Sequence, residues 1–233
     1  PTTRVSENIM RLATSIAVLP LTVLLLGFLT ASTDACTSIM VGKKASSDGS
    51  VMTSHTNDSH RGSSVVLVTA AAEHAPGIMR ALTKRCDDDT GPMPRYGRVA
   101  TGQIPQVPKT YRYIEATYGI MNEHQLAMGE STFVGREELQ SEKGLIDCDT
   151  LTRLMLERAK TAREAIRIGG ELIEKYGWCD LGEALTIVDP NEVWLMEIVG
   201  PGKGEVGAVW VAQRIPDDHV SVVANGARIG RID

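Results

Sequence analysis

The chain has 233 residues, 42% of them hydrophobic, and a formal net charge of −5. That length suits one large domain or two small ones with enough apolar material for a core. The acidic balance, the lack of a concentrated basic stretch and the presence of only two Phe and three Trp exclude a nucleic-acid partner.

The chain opens on a targeting pattern. Met10 and Arg11 precede an apolar run over residues 16–29, and small or polar residues follow to Ala35. This is the plan of a signal peptide. The run is about fourteen residues, short of the ~20 of a membrane-crossing helix, and Pro20 weakens it further. Thr33 and Ala35 stand at the −3 and −1 places of a cleavage site. Residues 1–35 are therefore expected to be an N-terminal extension and cleaved leader, the alternative being an uncleaved anchor. The mature domain is residues 36–233, secreted or periplasmic, with no permanent membrane span after processing. It begins on Cys36, and Cys86, Cys148 and Cys179 follow. Four cysteines in an exported protein suggest two disulfides in one of three pairings, or at most one if a thiol is set aside for chemistry.

Residues 37–41 are β-prone, residues 43–50 with Asp48-Gly49 read as a hairpin turn, and residues 51–56 as the returning strand. A further strand is expected over 64–69. Residues 84–110, with Cys86, the acidic run 87–89 and prolines from Pro92 to Pro108, read as a long surface loop. Asp149 or Thr150 can cap a helix over 151–160, and Thr161 to Glu164 forms a capping box for the next, ending near Gly177. Met121, Leu126 and Met128 are core-like. Strands over 184–188, 193–199, 206–215 and 219–224 complete an antiparallel meander, giving an α+β fold. No closing element follows, so the domain is expected to be incomplete at its C-terminus.

A cysteine that becomes the first residue of a mature chain carries a thiol and an α-amine together. The amine's reference pKa of about 7.7–8.0 leaves a useful fraction unprotonated near neutrality, a built-in general base for the thiol. Local signals alone leave three readings of Cys36 open: a structural or disulfide cysteine, a lipidated one, or a nucleophile. Thr33 and Asp34 fit a lipidation motif poorly.

Several blocks then carry a resemblance in order along the chain: 36–58 (CTSIMVGKKASSDGSVMTSHTND), 104–108 (IPQVP), 121–132 (MNEHQLAMGEST), 156–166 (LERAKTAREAI), 209–219 (VWVAQRIPDDH) and 223–229 (VANGARI). Together they resemble the secreted N-terminal-nucleophile (Ntn) cysteine dipeptidases, related to the bile-salt and penicillin V hydrolases. The resemblance implies an αββα four-layer sandwich, here partial, and hydrolysis of dipeptides. It makes Cys36 the nucleophile, Asp58 the acid that orients the amine, and Asn225 an oxyanion-hole donor. A second donor is implied from the 129–132 segment, with Thr132 where relatives often carry Asn. His55 holds a place where relatives carry Arg, and Arg228 is a candidate for the substrate carboxylate, or an exposed strand-end arginine.

No cofactor is expected. Nor is a metal site: His55 and His60 lie in turn-prone sequence, and the acidic run reads as a solvated turn. The expected partner is a small peptide. Alternatives are an Ntn amidase acting on N-acyl amino acids or bile-salt-like amides, and a non-catalytic exported or lipid-anchored binding domain.

Overall fold

The structure, a computed structural model, describes residues 36–59, 61 and 65–230. The expected leader, His60 and the start of the third strand at Ser64 lie outside the described residues. In chain order, β1 (Cys36–Val41) and β2 (Met52–Asn57) form the expected hairpin. Next come β3 (Leu67–Thr69), β4 (Ala72–Glu73), β5 (Met79–Asp88) and β6 (Arg95–Pro105). The strands β7 (Lys109–Thr110), β8 (Tyr113–Glu115), β9 (Gly119–Asn122) and β10 (Ala127–Val134) lead to α1 (Cys148–Arg158) and α2 (Ala162–Tyr176). Then follow β11 (Gly182–Val188), β12 (Val193–Val199), β13 (Val209–Ile215) and β14 (Val220–Ala224).

The fold is mixed α+β, mostly strands with two helices. A seven-stranded antiparallel sheet runs β13-β12-β11-β10-β9-β8-β3. Both helices pack on one face of it, with Leu154, Met155, Ile166 and Ile173 meeting Leu126, Leu185 and Met196. On the other face lies a three-stranded sheet, β14-β1-β2. Met40 and Val223 seal the layers against Ala127, Ala184 and Leu195. The period-2 alternation of β1 turns Ser38 and Met40 inward and leaves Ile39 exposed on the outer face.

Several expectations need correction. Residues 84–110 are not a loop: most of them build the β5–β6 hairpin, with Pro92 and Pro94 in its turn and Pro105 at its end, where missing N–H groups cost least. The meander stops at β13, and β14 crosses to pair with β1. The crossing is pinned where Lys44 N–H meets the Asp217 carbonyl at 2.8 Å and Gly42 N–H meets the His219 carbonyl at 3.0 Å. The cap of α1 is Asp147, which accepts from Thr150 N–H at 2.8 Å and also from Arg85 N–H at 2.6 Å. It thus ties the helix to β5, a contact that local spacing does not reveal.

Thr161 caps α2 as expected, accepting from Glu164 N–H at 3.3 Å, while Glu164 reaches back to Lys160 N–H at 2.8 Å. Leu126 and Met128 are buried, whereas Met121 is exposed. All four cysteines are free thiols, so neither suggested disulfide is present.

The two sheets approach closely at Gly129 of β10. A Cβ there would stand 2.8 Å from His55 Cβ and 2.9 Å from Thr186 Oγ1. Gly129→Ala is expected to cost about 1–3 kcal/mol by overpacking, read from the midpoint of urea unfolding. An unchanged midpoint would show that β2 yields freely.

Candidate active site

The inward face of β1 begins with Cys36, and the register sets Cys36 opposite Asn57 and Ser38 opposite His55. Alternation therefore aims Cys36, Ser38 and His55 at β10. There Glu130 lies fully buried, its Oε1 accepting from Cys36 Sγ at 3.3 Å and meeting His55 Nε2 at 3.2 Å. Ser38 Oγ donates to the Glu130 carbonyl at 3.0 Å, so β1 and β10 are stitched beside the site. The next residue, Ser131, donates from Oγ to the Cys36 carbonyl at 3.2 Å and accepts from Asn225 N–H at 2.8 Å.

Asn225 follows β14 with φ near +49°, a left-handed conformation that Asn tolerates better than most residues. Its Oδ1 accepts from the Cys36 backbone nitrogen at 2.8 Å, and its Nδ2 donates to the Thr132 carbonyl at 2.7 Å. One side chain thus joins the start of β1 to β10.

The electrostatics favour a protonated thiol. Burial first, then the Glu130 carboxylate, push Cys36 up to about 12, while a hydrogen bond from the Asp58 backbone N–H to the sulfur works the other way. Glu130 is held below its ordinary value: burial opposes ionisation, but hydrogen bonds from His55 and Cys36 outweigh it. Its neighbour Glu183 is pushed well above the usual range by burial and by the Glu130 charge. One carboxylate of this pair is ionised and the other keeps its proton. Thr132 Oγ1 donates to Glu183 Oε1 at 2.7 Å.

Of the site residues expected from sequence, Cys36, His55 and Asn225 come together. Thr132 is adjacent, its hydroxyl donating to Glu183 Oε1 and its carbonyl accepting from Asn225 Nδ2. Asp58 is near through its main chain, while its carboxylate is exposed and makes no hydrogen bond among the described residues. Arg228 has an exposed side chain. Its backbone N–H and that of Ile229 bind the Glu197 carboxylate, anchoring the segment after β14 to β12.

A cleft of about 960 Å³ reaches the site at His55 and is lined further by Met52, Asn57, Tyr118, Met128 and Asp189 among others. The Tyr118 ring stands edge-on to His55 at 5.7 Å between centroids. The Arg85 guanidinium lies 4.7 Å above the Tyr118 ring and donates to its hydroxyl. A cleft of this size holds a small peptide or acyl amino acid. Tyr118 was missed from sequence, and Glu130 and Ser131 lie in the 129–132 segment that was singled out for an oxyanion donor alone.

A model of peptidase family C69 matches residues 35–233. The chain belongs to peptidase family C69. It is 31% identical over 219 residues to a probable dipeptidase of Latilactobacillus sakei, covering 85% of this chain and 41% of that protein. Over 212 residues it is 29% identical to dipeptidase A of Lactobacillus helveticus, covering 85% of this chain and 42% of the relative. A dipeptidase of Bifidobacterium longum is 28% identical over 217 residues, 38% of its length. This C69 chain therefore spans about two fifths of the length of the curated relatives it matches. Among the described residues no helix is long and apolar enough to cross a membrane.

Proposed function

We propose that the protein is an exported cysteine dipeptidase whose nucleophile is Cys36, freed as the N-terminal residue by processing. The observation that carries this reading is the position of Cys36. It opens a central strand, its backbone nitrogen and carbonyl are held by Asn225 and Ser131, and its sulfur meets the Glu130 carboxylate that it shares with His55, which lines the cleft. Membership of a family whose relatives are named dipeptidases supports the choice of substrate.

Processing replaces the Cys36 amide by an α-amine. As an ammonium it favours the thiolate, offsetting burial and Glu130. As a free base it takes the thiol proton. Sulfur then attacks the scissile carbonyl carbon, the C=O pair moves to oxygen, and collapse breaks the C–N bond as the amine protonates the leaving nitrogen. Water, deprotonated by the same amine, hydrolyses the thioester and restores the thiol. Asn225 rotates its amide from Thr132 to the oxyanion. The exposed outer face of the small sheet, with Ile39, Met52, Val220 and Val222, supports an outer helix layer and hence the four-layer sandwich.

The test is a parallel assay of the full-length protein on dipeptides and on N-acyl amino acids. Faster cleavage of dipeptides is expected, and activity confined to the N-acyl series would turn the assignment to an amidase. Asn225→Ala is expected to lower kcat about 10²–10³-fold, the loss of one oxyanion donor. An unaltered kcat would leave Asn225 a purely structural tie.

A further inference from the structure

We infer that Cys36, His55 and Glu130 form a zinc site that reversibly silences the thiol. The three side chains offer a sulfur, an imidazole nitrogen and a carboxylate oxygen, all within 4.8 Å of one another. Zinc bonds of about 2.0–2.3 Å at tetrahedral angles separate neighbouring donors by roughly 3.3–3.6 Å. Two edges of such a triangle already exist, 3.3 Å from sulfur to Glu130 Oε1 and 3.2 Å from His55 Nε2 to the same oxygen. The third edge, from the sulfur to His55 Nε2, lies within 4.8 Å and closes on the ion.

The charge of the donor set points to a cation as well. Thiolate, carboxylate and neutral imidazole balance a divalent ion, so a bound zinc leaves no net charge in the interior. A thiolate with an imidazole selects zinc over magnesium or calcium, which prefer all-oxygen ligands.

Binding transfers the thiol proton to solvent, forms the S–Zn bond and ties up the electron pair that would attack a carbonyl. The site needs only the three side chains. Its consequence for catalysis rests on Cys36 being the nucleophile, and a processed protein adds the α-amine as a fourth donor on the same residue.

The experiment titrates full-length protein with zinc against a chromophoric chelator, and with cobalt to read the thiolate-to-metal absorption in the near ultraviolet. One equivalent is expected to bind, with magnesium and calcium unable to compete. His55→Ala is expected to weaken binding at least 10–100-fold, the scale at which even outer-shell partners act, and Cys36→Ser to abolish the charge-transfer band. A measurement on unsubstituted protein stands beside these: zinc is expected to protect Cys36 from iodoacetamide, read by peptide mass spectrometry, and a chelator to restore labelling. Absence of stoichiometric zinc, or binding indifferent to both substitutions with Cys36 still labelled, overturns the site. Dipeptide hydrolysis is read separately. Zinc bound at these three residues with hydrolysis undiminished overturns the silencing and counts against Cys36 as nucleophile, whereas loss of hydrolysis reversed by chelator supports both.

Discussion

Replacing Cys36 by alanine is expected to lower dipeptide hydrolysis by the full-length protein by about 10⁶-fold, the order of loss when a covalent nucleophile is removed. The change deletes one half-buried sulfur at the first position of β1. The strand pairings of Thr37 to Val41 with β14, and of the whole of β1 with β2, run through the backbone and survive it. The melting temperature is therefore expected to shift little, which separates lost chemistry from lost fold. Cys86→Ala, in the β5–β6 hairpin, serves as the thiol control and keeps its activity. Hydrolysis by Cys36→Ala at more than a small fraction of the original rate would move the nucleophile elsewhere.

The largest effect on stability is expected at Arg153. Its side chain is 4% exposed and pairs with Asp149 one turn back on α1 and with Glu115 of β8. It also donates to the Thr117 carbonyl at 3.4 Å, in the loop that carries Tyr118 to the cleft. Arg153→Met leaves two carboxylates with reduced compensation, and breaking a buried pair in this way costs about 3–5 kcal/mol. That is a large part of the total stability of an ordinary domain.

The pH dependence gives the prediction a sign. Asp149 already titrates above its usual range because burial outweighs the opposing pull of Arg153 and Arg98. Removing Arg153 raises it further. A carboxyl with a raised folded-state pKa contributes stability that is fully present below its unfolded pKa and lost as pH rises through the folded one. The deficit of Arg153→Met is therefore expected to be full near neutrality and to shrink as pH falls toward 3.8, the ordinary Asp value. Urea unfolding at several pH values measures it. A deficit below about 1 kcal/mol at neutrality would equate this network with an exposed ion pair.

How far the sequence reached follows from where each signal lay. The β1–β2 hairpin was legible from its β-prone residues and the Asp48-Gly49 turn, whereas the inward aim of Cys36 and His55 follows from the register. α2 was legible from the Thr161 to Glu164 box. β10 was not: Ala127 to Ser131 are buried between the helices on one face and the small sheet on the other, so no apolar–polar alternation marks them. Glu130 was lost with that strand, since a glutamate reads as exposed unless a partner is known. The β5–β6 hairpin was hidden by prolines that fall in its turn and at its end. The crossing of β14 depends on bonds between residues 42–45 and 217–219, far apart along the chain.

The most direct measurement of the central claim is the N-terminal peptide of active, full-length protein by mass spectrometry. The expected chain starts at Cys36 with a free α-amine and a thiol open to alkylation. An active protein with a longer N-terminus, or with an acylated Cys36 amine, would remove the base from the mechanism and contradict it.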